Sequence, residues 1–313
     1  MESLPEVARQ VAVLFVMMGA GAALRRLRLL DGASVDGMVN LLMFVVTPCV
    51  VVDCFQRPFD VAMLGGLGVA FAIAVIGHLA LAAIAALCVR GGGDDTRRTL
   101  VLAAVFSNAG FMGLPLEQAI LGPRGVFFGA VYVVVFNLFI WSWGLWVAKG
   151  PGPAGMRHGD VRRMALNPGT VGIVLGLPLF LFSLRLPEVV AAPVRHLSSL
   201  NTPLAMLAIG YSLAGAKLGR VVRSGGAWVA SAIRLFVSPL LLMAIMFPWR
   251  RSLDADMMLA LVIAASAPVA AMVSIFAAKF RRDVDAGVAM VSGTTLASML
   301  TMPLVIALAK SVL

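Results

Sequence analysis

The residues best placed to do chemistry in this chain are polar rather than reactive. Asn108 lies in the run Ser107-Asn108-Ala109-Gly110, which interrupts an apolar stretch, and Ser266-Ala267-Pro268 interrupts another far downstream. An asparagine offers two donors and an acceptor. Where a helix restarts, its first amide groups have no intrahelical acceptor and its dipole is positive, so anions bind there without a buried lysine or arginine. The chemistry suggested is the holding of a carboxylate, framed by Ser107, Asn108, Ala109, Gly110, Ala267 and Pro268, with Asn137 and Asn201 as further candidate contacts. Bond-making catalysis is not suggested. The chain has no H-E-x-x-H, no Ser/His arrangement on adjacent apolar runs and no Walker-type loop, so it binds no ATP to drive work. Cys49, Cys54 and Cys88 sit in apolar runs without C-x-x-C spacing, and neither a metal nor a cofactor is expected.

The elements that position these residues follow from composition. Of 313 residues, 61% are hydrophobic and 13% charged, and the mean hydropathy is +0.98. Soluble domains run near ~45–50% apolar and ~25% charged, so a soluble enzyme is excluded. Apolar runs fall at about 7–24, 34–55, 61–89, 98–119, 124–148, 166–184, 190–217, 225–248, 255–279 and 285–311, each near the ~20 residues that cross a bilayer. Ten spans leave no room for a soluble domain. The net charge of +10 does not point to nucleic acid, because the cations cluster in short connections between apolar runs. Glu2 and Glu6 before the first run, and Arg25, Arg26 and Arg28 after it, reverse the charge order of a cleavable leader.

Connections after spans one, three, five, seven and nine hold sixteen of the Lys and Arg residues, and the opposite side with both termini holds eight. The positive-inside rule then puts both termini outside the cytoplasm, in a multi-pass protein of the cell (inner) membrane. The connection 149–165 divides the chain into 1–148 and 166–313, five spans each. Features recur in order across it: Thr47-Pro48 and Thr202-Pro203 in each second span, and the interruptions at Asn108 and Pro268 in each fourth. Five is odd, so the halves enter the membrane inverted, the plan of secondary carriers whose site lies where interrupted helices meet. Asn108 is nine residues into its span from Thr99, or ~14 Å, and Pro268 eleven residues in from Met257, or ~16 Å. In a hydrocarbon core of ~30 Å both lie near the midplane.

The run Phe106-Ser107-Asn108-Ala109-Gly110-Phe111-Met112-Gly113-Leu114-Pro115 resembles the N-x-G-f-x-G-x-P signature of the auxin efflux carrier family. Asn167-Pro168, Pro203 through Gly210, Arg234 with Pro239, Ser266-Ala267-Pro268, and Thr294-Thr295-Leu296 with Pro303 follow in the order of that family, so the resemblance spans nearly the whole chain. It implies an all-α membrane protein of ten transmembrane helices in two inverted five-helix repeats, with broken helices four and nine crossing at the midplane. It further implies alternating access, a small organic anion such as a carboxylate as substrate, most simply by efflux, and a homodimer in the bilayer. The chain resembles bacterial members, since it lacks the long hydrophilic loop of PIN-type plant carriers and has Ser107 where those have proline. The related bile-acid sodium symporters place acids around the crossing, but span nine has none between Asp256 and Asp283, so sodium coupling is not expected. The rival readings are a proton- or sodium-coupled symporter on the same fold and a membrane anion sensor that does not transport.

Ionisable residues inside spans are candidates for function, because a charge in hydrocarbon costs on the order of 2.5–3.5 kcal/mol or more. Arg234 is expected to be structural, snorkelling or capping carbonyls of a broken helix. Asp53 and Glu117, near span ends, are expected to be solvated at the interface, and His78 to be packed and hydrogen-bonded. The cation asymmetry makes one direct prediction. In a variant without native cysteines, a cysteine at position 157 should react with an impermeant reagent only from the cytoplasmic side; labelling from outside would reverse the topology.

Overall fold

The computed structural model describes residues 4–150, 168–215 and 224–313. Asn167, most of the 149–165 connection, and Lys217, Arg220 and Arg223 lie outside the described residues. Among the described residues all regular structure is helical. In chain order the helices are α1 (Leu4–Arg26), α2 (Gly32–Phe55), α3 (Val61–Cys88), α4 (Asp94–Val105) and α5 (Ala109–Lys149). They continue as α6 (Pro168–Leu181), α7 (Glu188–Ser199), α8 (Asn201–Ala214), α9 (Gly225–Trp249), α10 (Ala255–Ser266), α11 (Ala271–Lys279) and α12 (Val284–Val312). Five of them, α2, α3, α5, α9 and α12, are long and apolar enough to cross a membrane.

Local chemistry sets the helix ends. Asp31, Asp60, Ser224, Asp254 and Asp283 each stand at a helix start and accept from an amide of its first turn. Within the helices, prolines leave a regular mark. Pro48, Pro115 and Pro239 each follow directly on a wide π-turn, at Leu42–Val46, Ala109–Gly113 and Ile233–Val237. Proline cannot donate to the carbonyl four residues back and its ring collides with it, so the preceding turn widens rather than breaks. In α2 the Thr47 hydroxyl takes up the slack by donating to the Leu42 carbonyl at 2.8 Å. α5 bends at Gly122 (φ 65°, ψ −155°), ahead of Pro123, and so forms a 109–121 limb and a 123–149 limb. Glycine is required there, since positive φ strains other residues. The run 190–217 is two helices, not one continuous span: α7 ends at Ser199, and α8 begins at Asn201 with Pro203 in its first turn, where a missing N–H costs nothing.

The helices associate through small residues. Apolar lipid gives helices no hydrophobic reason to meet, so close backbone approach at glycine supplies the contact. α1 packs along α8, where a Cβ on Gly210 would lie 1.9 Å from the Met18 carbonyl oxygen and one on Gly21 would lie 2.2 Å from that of Leu207. α6 packs along α2 in the same manner, with Gly172 against Val51 and Gly176 against Phe55. α3, α4, α10 and α11 pack against α5, and Phe127, Phe128, Val135 and Ile140 of its 123–149 limb are fully buried.

Gly210→Val should overpack this contact and cost about 1–3 kcal/mol, lowering the thermal midpoint in detergent by several degrees. Gly37→Val, at a position where an added Cβ meets nothing within 4 Å, should cause no loss. Equal midpoints for both variants would count against tight α1–α8 packing.

Candidate functional site

Two helices stop short beside one another. α4 ends at Val105 and helix resumes at Ala109; α10 ends at Ser266 and α11 begins at Ala271. Between them the chain is extended, with φ/ψ of −96°/110° at Phe106 and −61°/147° at Ala267. The second interruption follows from Pro268, which disfavours helix at the residue before it. The two extended pieces run antiparallel with Ser107 opposite Val269. The Asn108 amide donates to the Pro268 carbonyl at 2.7 Å, and the Ala270 amide to that of Phe106 at 2.9 Å. The Val269 amide donates to the Thr294 hydroxyl at 3.0 Å, which fastens the pair to α12.

The carbonyl ends of both stopped helices converge on one cation. Arg234, in the π-turn of α9, is completely buried and does not snorkel to an interface. Its guanidinium donates to the Val105 carbonyl at 2.6 Å, to the Ala265 carbonyl and to the Ser238 hydroxyl. A positive charge at a helix C-terminus offsets the negative end of the dipole, and here one guanidinium serves two.

The amino ends face empty space instead. A cavity of about 250 Å³ lies between the crossing, α8, α11 and α12, with Asn108, Ser212, Ser274, Ser292 and Thr295 as its polar lining. A second, of about 120 Å³, lies between the crossing, α2 and the 123–149 limb, with Thr47, Ser107, Asn108 and Asn137. Asn108, Val39, Phe111 and Ala271 line both, and no charged side chain lines either. The Asn108 carbonyl is occupied, accepting from Met112 and Gly113 at 3.0 and 3.2 Å. The Ser107 hydroxyl is buried without a protein partner. The amide groups opening α5 and α11 lack intrahelical acceptors by position. The hydroxyls of Ser212, Ser274, Thr295 and Thr47 already donate to carbonyls of their own helices, so the donors left for an anion are the Ser107 and Asn108 side chains and the amide groups of the two helix starts.

The residues expected at a site therefore separate. Ser107, Asn108, Gly110 and Asn137 line the second cavity, the last with its amide nitrogen held by the Val133 carbonyl at 2.8 Å. Ala109, Ala267 and Pro268 form the backbone of the crossing and line neither of these two cavities, and Asn201, the first residue of α8, lines neither as well. Ser212, Ser274 and Ser292 were not foreseen. Val288, Val291, Ser292 and Thr295, spaced as one helical face, are the signal that could have found Ser292. His78 is packed, its Nδ1 2.8 Å from the Ala74 carbonyl and its ring against Tyr132 and Phe139. Glu117 corrects the expectation of interface solvation. It is fully buried, because the bend at Gly122 folds the 123–149 limb back over it. Among the described residues no group of His, Cys, Asp or Glu could hold a metal.

Comparison with known proteins bears on what this arrangement serves. A family model described as "Membrane transport protein" matches residues 6–160 and 153–306. The chain is 26% identical over 298 residues to an uncharacterized transporter of Methanothermobacter thermautotrophicus, covering 94% of this chain and 95% of that protein. It is 27% identical over 152 residues to an uncharacterized transporter of Methanocaldococcus jannaschii, covering 47% of each.

Arg234→Gln should leave a buried carbonyl at each helix end short of its charged donor, at on the order of 1.5–3 kcal/mol per bond. Thermal stability and yield should fall sharply, and Arg234→Lys should recover only part of them. A variant as stable as the parent would show that the guanidinium does not hold the crossing together.

Proposed function

The chain belongs to the membrane transport protein family, that of the auxin efflux carriers, and from that premise we propose that it is a secondary carrier of a small organic anion. It is a multi-pass membrane transporter and not an enzyme. The observation that carries the anion reading is the polarity of the crossing. Carbonyl ends are neutralised by Arg234 on one side, while Asn108, the Ser107 hydroxyl and two helix starts are left to the cavities. A carboxylate placed there could accept from the Asn108 and Ser107 side chains and from the amide groups of two helix starts, and its charge is met by dipoles rather than by a fixed cation.

In this reading the chain crosses the membrane ten times. α4 with the 109–121 limb, and α10 with α11, form the broken fourth and ninth spans that meet near the midplane. The halves 1–148 and 166–313, joined by 149–165, are inverted repeats, and paired features support this. α1 lies on α8 as α6 lies on α2. Arg124, in the bend between spans four and five, pairs with Asp254 and Asp256 at the start of α10. Arg282, in the turn between spans nine and ten, pairs with Asp95 at the start of α4. The two cavities flank the crossing in a corresponding manner. α1, α2, α6, α7 and α8 would form a scaffold, and the crossing body would move against it to expose the anion on alternate sides, in the direction of efflux. Both termini outside the cytoplasm, residence in the inner membrane and a homodimer complete the proposal.

The test is a thermal-shift screen of purified protein against carboxylates, since a ligand of the native state raises the melting point. With the carboxylate that gives the largest shift, Asn108→Ala should weaken binding by about one to two orders of magnitude, the loss of a charge-assisted bond. Asn108→Asp, nearly isosteric but negative, should fold and bind nothing. Transport by that variant at the parent rate would remove the crossing from the mechanism.

A further inference from the structure

The 109–121 limb carries one group that the anion site does not use. Glu117 is fully buried, and neither carboxyl oxygen has a protein partner. It lies in a slot that exists because residue 129 is glycine, since a Cβ there would fall 1.6 Å from Oε2. Gly113 borders the same slot and brings α10 close, with Ala264 nearby. Among the described residues, the ionisable groups that follow lie on elements packed against this limb and have contacts elsewhere. On α2, the Cys54 thiol is within electrostatic reach but donates to the Val51 carbonyl, while Asp53 lies near Ser198 and Arg195. Arg57 donates to the Cys54 carbonyl and lies over the Phe127 ring. On α3, His78 is held by Ala74 and stacked on Tyr132 of the 123–149 limb. Asp254 and Asp256, at the start of α10, are held by Arg124 of the bend. α6 has no ionisable residue between 170 and 181, and Arg25 of α1 donates to the Tyr211 carbonyl.

We propose that Glu117 is a proton-binding site, occupied in this conformation by one proton and emptied when the 109–121 limb moves and opens the Gly129 slot to water. An ionised carboxylate without a partner in an apolar interior is far too costly to persist, whereas a neutral acid is tolerated. The group sits nine residues after Asn108, on the limb that Asn108 caps, beyond the π-turn and ahead of the Gly122 bend. Whatever displaces the crossing therefore displaces the slot. No bond other than O–H forms or breaks, and water takes the proton. That this proton is coupled to carriage rests on the carrier reading; its presence does not.

The experiment uses the full-length protein in lipid and reads infrared absorption and thermal stability. At about pH 7 exposed carboxyls are ionised, so the wild type should show the carbonyl stretch of a protonated carboxylic acid, and Glu117→Gln should lack it. That band needs no variant to be seen, so poor folding of the variant would not hide the answer. The native state retains a proton that the unfolded chain releases, so raising the pH from about 5 to about 9 should favour unfolding. The wild-type melting point should fall over that range more steeply than that of Glu117→Gln, which imitates the neutral acid. Absence of the band, a band unchanged in the variant, or parallel melting curves would overturn the proton site. If instead Asn108→Ala and Asn108→Asp bind every carboxylate as the parent does, the anion reading fails and this one stands.

Discussion

One guanidinium holds the centre of this protein together. Helices α4 and α10 both end inside the protein, at the fully buried residues Val105 and Ser266. Arg234 donates to a carbonyl at each end, those of Val105 and Ala265. A neutral donor could fill one hydrogen bond, but it would not offset two negative helix ends facing one another. The position has a sequence cause. Pro239 widens the preceding turn of α9, and the widened turn, Ile233–Val237, contains Arg234 itself. The irregularity that proline imposes on one helix thus coincides with the cation that lets two others be interrupted.

With the carbonyl ends spoken for, the rest of the crossing acquires a direction. Its backbone is tied by the reciprocal hydrogen bonds of Asn108 and Ala270, and its amino ends point toward cavities lined by hydroxyl and amide groups. Around it the protein is fitted by absence of side chains. Gly21 and Gly210 allow α1 and α8 to touch backbone to backbone, and Gly129 makes room for Glu117. Among the described residues, Arg124 pairs with Asp254 and Asp256 and Arg282 with Asp95, all of them partly exposed. Exposed pairs of this kind contribute little stability each, so the fold depends on close packing and on Arg234 rather than on its surface charge.

Much of this was legible in the residues, and the remainder was hidden for a definable reason. Apolar runs bounded by charged turns mark membrane helices, and Asn108-Ala109-Gly110 and Ala267-Pro268 carry the polar, glycine and proline signals of helix interruption. Rotation about the helix axis was not legible. Helices apolar on every side offer no amphipathic stripe from which to read a facing direction, and each π-turn resets that direction in any case. Hence Ser212 and Ser274 gave no sign of lining a cavity, and nothing marked Asn201 as lining neither of the two beside the crossing. Glu117 misled through its position near the end of an apolar run. Its burial comes from the left-handed residue Gly122, which folds the following limb over it.

The partnership of Val105 with Arg234 also sets the order in which the chain can be made. The two residues are 129 positions apart. When α4 leaves the ribosome, neither Arg234 nor the backbone of 268–270 that satisfies Phe106 and Asn108 has yet been synthesised. A helix end with free carbonyls cannot rest in lipid. The first half must therefore wait in the insertion machinery, in water or as a longer provisional helix until α9 and α10 arrive. On the carrier reading, biogenesis would end in a rearrangement after insertion rather than proceed as a sequence of independent spans. Truncation after residue 150 would leave an orphan for quality control to remove, not a half-sized carrier.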